Sequence, residues 1–274
     1  MKRALPALLL GLMAFGAQAG EVGPYTLHGE WQQGSVLIGK TEPGTRVTFN
    51  GRALKVAPDG LFVFGLDRDE KDEAELRIKP PHGEEVVEHH AVEKRAWDVQ
   101  PIEGLPPKLV NPPPETQARI KAESAKIGAV KQRDTDREDF ATPFIWPVQG
   151  RISGVFGSQR ILNGEPKAPH YGVDVAVPTG TAVVAPAGGV VALAERDFYF
   201  TGGTVIIDHG HGLQSILVHL SKLLVKPGEV VKQGQIVAES GMTGRATGPH
   251  LHWGLYWFNE HVDAQKFTGP MQER

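Results

Sequence analysis

Past its first twenty residues, no apolar run in this chain gets far before a turn signal stops it. Between residues 24 and 95 the segments SVLIG, TRVTF, LFVFGL and AELRI carry β-branched and aromatic residues, and Pro43-Gly44, Asn50-Gly51 and Asp59-Gly60 separate them. Such runs fold as hairpins, because Asn-Gly and Asp-Gly supply the positive φ that two-residue connections need. A stretch of this kind predicts a small β-sandwich. The punctuation resumes near residue 141 and runs to about 258, drawing on the chain's 33 glycines and 21 prolines. The expected fold is all-β with two domains: an N-terminal sandwich over 20–99 and a C-terminal antiparallel β-sheet domain over 141–274. Residues 100–140 join them. Segment 100–114 is Pro-rich, ends in Pro112-Pro113-Pro114 and reads as an extended connector. Residues 115–133 hold helix formers, no proline and a weak apolar stripe, and predict a short helix.

Lys2 and Arg3, the apolar run Ala4–Phe15 and the small-residue end Ala17-Gln18-Ala19 read as a secretory signal over 1–19, with a core too short to span a bilayer comfortably. No later stretch approaches about 18 apolar residues, so no integral membrane segment is expected once the signal is removed. The chain has no cysteine. That excludes disulfides, thiolate metal sites, cysteine nucleophiles and a lipid-modified N-terminal cysteine. Any metal must be held by His, Asp or Glu. An exported, cysteine-free chain suits the periplasm of a Gram-negative bacterium. The net charge of −3 argues against nucleic acid as a partner, since phosphate neutralisation needs clustered cations. Gly34–Thr41, GSVLIGKT, matches the P-loop pattern. That mechanism needs a glycine loop leading into a helix N-terminus. Here Ser35–Ile38 look like strand and Glu42-Pro43-Gly44 is a turn, so a hairpin is expected and no nucleotide.

The chemistry sits in the histidines. Alternate side chains of a strand share a face. In HYGVD, His170, Gly172, Asp174 and Ala176 therefore point one way and the valines between them the other. In HLHWG, His250 and His252 share a face, with Leu251 and Trp253 opposite. Two strands thus offer His/Asp faces suited to zinc, which takes imidazole nitrogen and carboxylate oxygen and is catalytic when three protein ligands leave one position open. His219, in SILVHLS, lies on a buried-looking strand. His209 and His211 imitate an H-x-H pair in IIDHGHG, but the glycines beside them predict turn or surface positions. No Glu lies in an H-E-x-x-H pattern, so the helical zincin motif is missing.

HYGVD, VHL and TGPHLHWG, in this order, resemble the lysostaphin/LytM-type zinc metallopeptidases that cut peptidoglycan cross-links. The resemblance covers roughly residues 143–258 and extends through GVFGSQRILNGEPKAPHYGVDVAVPTGTAVVAPAGGVV and GGTVIIDHGHGL. It implies Zn²⁺ held by His170, Asp174 and His252, with His250 and His219 catalytic beside it; which of those two is the base stays open. Trp253 stands where many relatives have Phe, and Gly254 where many have Glu. The implied activity is zinc-dependent peptidoglycan endopeptidase. Its partners are stem peptides, and the compartment points to the D-Ala–diaminopimelate bond. The loops ILNGEPKAP and ERDFYFTGG would border the groove, with Phe198, Tyr199 and Phe200 on its wall. The chain is expected to act as a monomer. Two rivals stand beside this reading. A non-catalytic regulator of cell-wall hydrolases predicts no metal, and relatives of that kind have lost several ligands that this sequence keeps. A biotinyl- or lipoyl-type carrier would need a lysine at a hairpin tip, and Lys232 in VKPGEVVKQGQIVAESG has no such context.

Overall fold

The computed structural model describes residues 25–271; the signal expected at 1–19 lies outside them. The N-terminal region holds two small sheets. Tyr25–His28, Val36–Thr41 and Leu61–Gly65 form one, and Arg52–Leu54, Arg46–Phe49, Glu73–Lys79 and Val86–Ala91 the other, each in that order across the sheet. Alternation decides which faces meet: in Glu73–Lys79, Ala74, Leu76 and Ile78 are buried and the residues between them are more open. Phe49 of one sheet and Phe64 of the other stack with ring centroids 4.4 Å apart. The P-loop look-alike is the strand Val36–Thr41, paired with Leu61–Gly65, and no helix follows it.

The C-terminal region is built on an eight-stranded antiparallel sheet. Its strands run Val230–Val231, Gly189–Phe198, Gly202–Gly210, Leu213–Leu220, His250–Trp257, Val173–Ala176 and Arg151–Gly154, with Glu260–Val262 pairing beside His250–Trp257. The strands Gly202–Gly210 and Leu213–Leu220 are buried along their whole length. The reason is a helix on the outer face. Residues Pro114–Lys131 are helical, close to the expected span, and Ile127 and Val130 pack on Leu193, Phe198, Ile216 and Tyr256. The apolar core is continuous between the two regions. Phe49 meets Trp257 edge-on at 5.9 Å, and Arg95 pairs with Asp263 at 2.9 Å.

Two local expectations need correcting. The connector is not simply extended. Val99–Ile102 is a strand paired in parallel with Gln159–Leu162, and Pro107–Val110 forms one helical turn. Asn163 clamps this strap at Leu105, accepting from its N–H at 3.2 Å and donating to its carbonyl at 2.8 Å. The second correction concerns His209 and His211, which are buried rather than on the surface. His209 lies between the Gly188 carbonyl, 2.6 Å from Nδ1, and the Ser215 hydroxyl, 2.9 Å from Nε2.

Candidate metal centre

Asp174 and His252 meet because their strands pair antiparallel in a register that sets them directly opposite each other. His170 arrives differently from the expectation. The strand starts only at Val173, and His170 comes from the loop before it, fixed by main-chain hydrogen bonds with Ser158 and Gly157 at 2.8 Å each. The outcome is a tight triangle. His170 Nε2 lies 2.9 Å from Asp174 Oδ1 and 2.8 Å from His252 Nδ1, and the last two atoms are 2.8 Å apart. Glycines clear the space: a Cβ on Gly172 would stand 2.7 Å from the His252 ring, and one on Gly154 would stand 2.6 Å from Asp174 Oδ2.

The chemistry of this donor set fits a divalent ion. His170 Nδ1 faces the Val155 carbonyl at 2.9 Å. A carbonyl only accepts, so Nδ1 carries the proton of the neutral ring and Nε2 turns a lone pair to the cluster. Three such atoms this close must share either a proton or a cation. Zinc binds imidazole nitrogen and carboxylate oxygen at about 2.0–2.2 Å, and two atoms sharing one ion then lie within about 4.2 Å. The observed spacings fall inside that limit. Arg160 Nη2 donates to Asp174 Oδ2 at 2.8 Å, leaving Oδ1 for the cluster. Burial by itself would raise the Asp174 carboxyl, but facing His170 and His252 hold it well below the usual carboxylate range. Burial lowers the pKa of His252, against the pull of Asp174.

His219 and His250 stand beside the triangle, ring centroids 4.7 Å apart. Each is oriented as His170 is, with Nδ1 on a main-chain carbonyl at 2.8 Å: Thr243 for His219 and Gly248 for His250. His250 Nε2 lies 3.8 Å from Asp174 Oδ1. Burial pushes His219 down to about 3, with His250 and His252 adding to the effect. Its backbone is unusual, with φ at 64°. The cause is a bulge: Gly203 pairs with Leu220 and Val205 with Leu217, so Val218 and His219 together oppose Thr204 alone. A bulge re-aims a side chain, here toward the cluster.

The aromatic trio Phe198-Tyr199-Phe200 is split. Phe198 is buried under the long helix, Tyr199 donates to the Lys108 carbonyl at 2.6 Å, and Phe200 lies 4.4 Å beneath the Arg245 guanidinium. Three residues at the site escaped the sequence reading: Arg160, Arg245 and Gln100. They line a cavity of about 160 Å³ together with Asp174, His219 and His250. Gln100 stands opposite Arg160 in the parallel pairing of the strap. No periodicity marks such a residue.

Residues 168–264 match the model of peptidase family M23. Over a longer span, a crystal structure from Pseudomonas aeruginosa described as a candidate peptidase M23 is 30% identical, with a TM-score of 0.68, and the match covers 88% of this chain and 96% of that one. This chain belongs to peptidase family M23. Among M23-like relatives, the peptidoglycan DD-endopeptidase ShyA of Vibrio cholerae is 43% identical over 129 residues, which is 46% of this chain and 30% of ShyA. The DD-carboxypeptidase/endopeptidase Mpg of Neisseria meningitidis is 38% identical over 106 residues, 39% of this chain and 24% of Mpg. The chain therefore spans under a third of the length of these curated relatives.

Proposed function

We propose that this chain is a zinc-dependent peptidoglycan endopeptidase that hydrolyses peptide cross-links outside the cytoplasm, in the periplasm of a Gram-negative cell. The observation that carries the reading is the convergence of His170 Nε2, Asp174 Oδ1 and His252 Nδ1 to within 2.9 Å of one another, beside two further histidines. When bound, zinc supplies Lewis-acid polarisation and lowers the pKa of water. The remaining chemistry belongs to the chain. His219 and His250, each with its Nδ1 proton on a backbone carbonyl, offer Nε2 to take and return a proton. Such general acid–base help is worth about 10²–10⁴ in rate. The names of the relatives support a bond between D-centres, and we assign the D-Ala–diaminopimelate cross-link as the substrate bond.

An intact ligand set disfavours the reading as a non-catalytic regulator, which has no use for it. The deciding experiment is digestion of cross-linked muropeptides with mass analysis of the products, with and without a chelator. Monomeric stem peptides should appear only in the chelator-free reaction. No cleavage by zinc-loaded protein, or cleavage indifferent to the chelator, overturns the proposal. Purified protein should carry about one zinc per chain, and His170→Ala or Asp174→Ala should lose it.

A further inference from the structure

The cavity beside the metal-ligand triangle has an unusual charge balance. Arg160 and Arg245 both line it, while Asp174 is its single acidic residue. Asp174 is already engaged, by Arg160 on one oxygen and by two histidines on the other. Arg160 spends Nη2 on that carboxylate, and its Nε is buried without a partner. Arg245 forms no ion pair with any described residue. Its hydrogen bond goes to the Leu109 carbonyl at 3.4 Å, and its flat face rests on Phe200. Burial lowers the pKa of the Arg245 guanidinium, and the nearby charge of Arg160 lowers it further. Leaving a cation out of water without a counter-charge is costly. Arg160 has Asp174 as its counter-charge, whereas Arg245 has none among the described residues, so an entering anion would find a free cation there.

We infer that Arg160 and Arg245 form a carboxylate-recognition subsite, which takes the free α-carboxylate of the substrate residue that contributes the leaving amine. The identification of that residue rests on the endopeptidase reading above. Guanidinium is suited to the task, since it meets a carboxylate with paired, charge-assisted hydrogen bonds. The cavity, at about 160 Å³, has room for one carboxylate-bearing residue end rather than a length of chain. In a D-Ala–diaminopimelate cross-link a free carboxylate lies one carbon from the scissile nitrogen, whereas inside a glycine bridge there is none. The two arginines would therefore select the cross-link by the free carboxylate beside its scissile amide.

The test uses the full-length, zinc-loaded chain and two probes: N-acetyl-D-alanyl-D-alanine with a free carboxylate, and the same dipeptide as its C-terminal amide. Binding is followed by NMR titration, which reads millimolar affinities. The acid should bind on the order of tenfold tighter than the amide, the scale of one charge-assisted hydrogen bond. In Arg245→Ala the ratio should fall toward one, with zinc content and thermal midpoint unchanged, and Arg245→Lys should restore part of it. Equal binding of acid and amide by the parent, binding of neither, or a preference that survives in Arg245→Ala each overturns the subsite; the last places the carboxylate on the metal instead. Muropeptide cleavage without acid preference sinks this inference alone. Acid preference without cleavage sinks the endopeptidase reading and leaves the anion site.

Discussion

Gly172 tests how tightly the metal-ligand geometry is built. It lies one residue before the strand that carries Asp174, and it has no side chain because His252 occupies the space. A methyl group there would stand 2.7 Å from both Cε1 and Nε2 of His252 and 2.6 Å from the Trp253 carbonyl. Ordinary contact begins at 3.4 Å, so the ring must retreat by about 0.7 Å. Metal sites tolerate displacements of about 0.2 Å. Disturbing the shell around a ligating histidine typically weakens metal binding by about 10- to 100-fold, or about 1.4–2.7 kcal/mol. Gly172→Ala should therefore raise the zinc dissociation constant by that factor, read by competition against a chromogenic chelator, while circular dichroism stays that of the parent. Gly128→Ala is the control, because a Cβ there, on the long helix, meets nothing within 4 Å. If Gly172→Ala binds zinc within twofold of the parent, the crowding argument fails, and with it the assignment of His252 as a tightly held ligand.

Other perturbations separate the remaining roles. His219→Asn suits the positive φ of that position, since Asn tolerates the left-handed region. It should keep zinc and lose about 10²–10⁴ in muropeptide turnover; parental turnover removes His219 from the reaction. His209, far from solvent, is pushed by burial from 6.5 down to about 4. The unfolded chain takes up that proton below about 6.5 and the folded chain only near 4, so stability falls as the pH drops through this window, by about 3 kcal/mol at 1.36 kcal/mol per pH unit. Urea unfolding at pH 7.5 and 4.5 should show a smaller acid loss in His209→Gln than in the parent, and equal losses refute the account. Asn163→Gly keeps the backbone freedom of its φ of 49° but deletes both hydrogen bonds to Leu105. Limited proteolysis should then cut residues 103–111 sooner than in the parent; an unchanged rate means the clamp does not hold the strap.

The sequence alone determined the all-β character of the chain and put His170, Asp174, His250 and His252 forward as candidates for one site. Both are written in short-range patterns. Turn dipeptides stop strands locally, and a period of two places His250 and His252 on one face with Leu251 and Trp253 buried on the other. Tertiary structure decided the rest. His219 looks like a core residue until the bulge against Thr204 turns it toward the cluster, and a bulge exists only relative to a partner strand. His209 stands in a turn-like sequence but is enclosed by the Gly188 loop and Ser215. The parallel pairing of Val99–Ile102 with Gln159–Leu162 brings Gln100 opposite Arg160 across some sixty residues of chain. Local pattern cannot encode such a meeting, because the free energy that fixes it comes from hydrogen bonds and burial shared between distant segments.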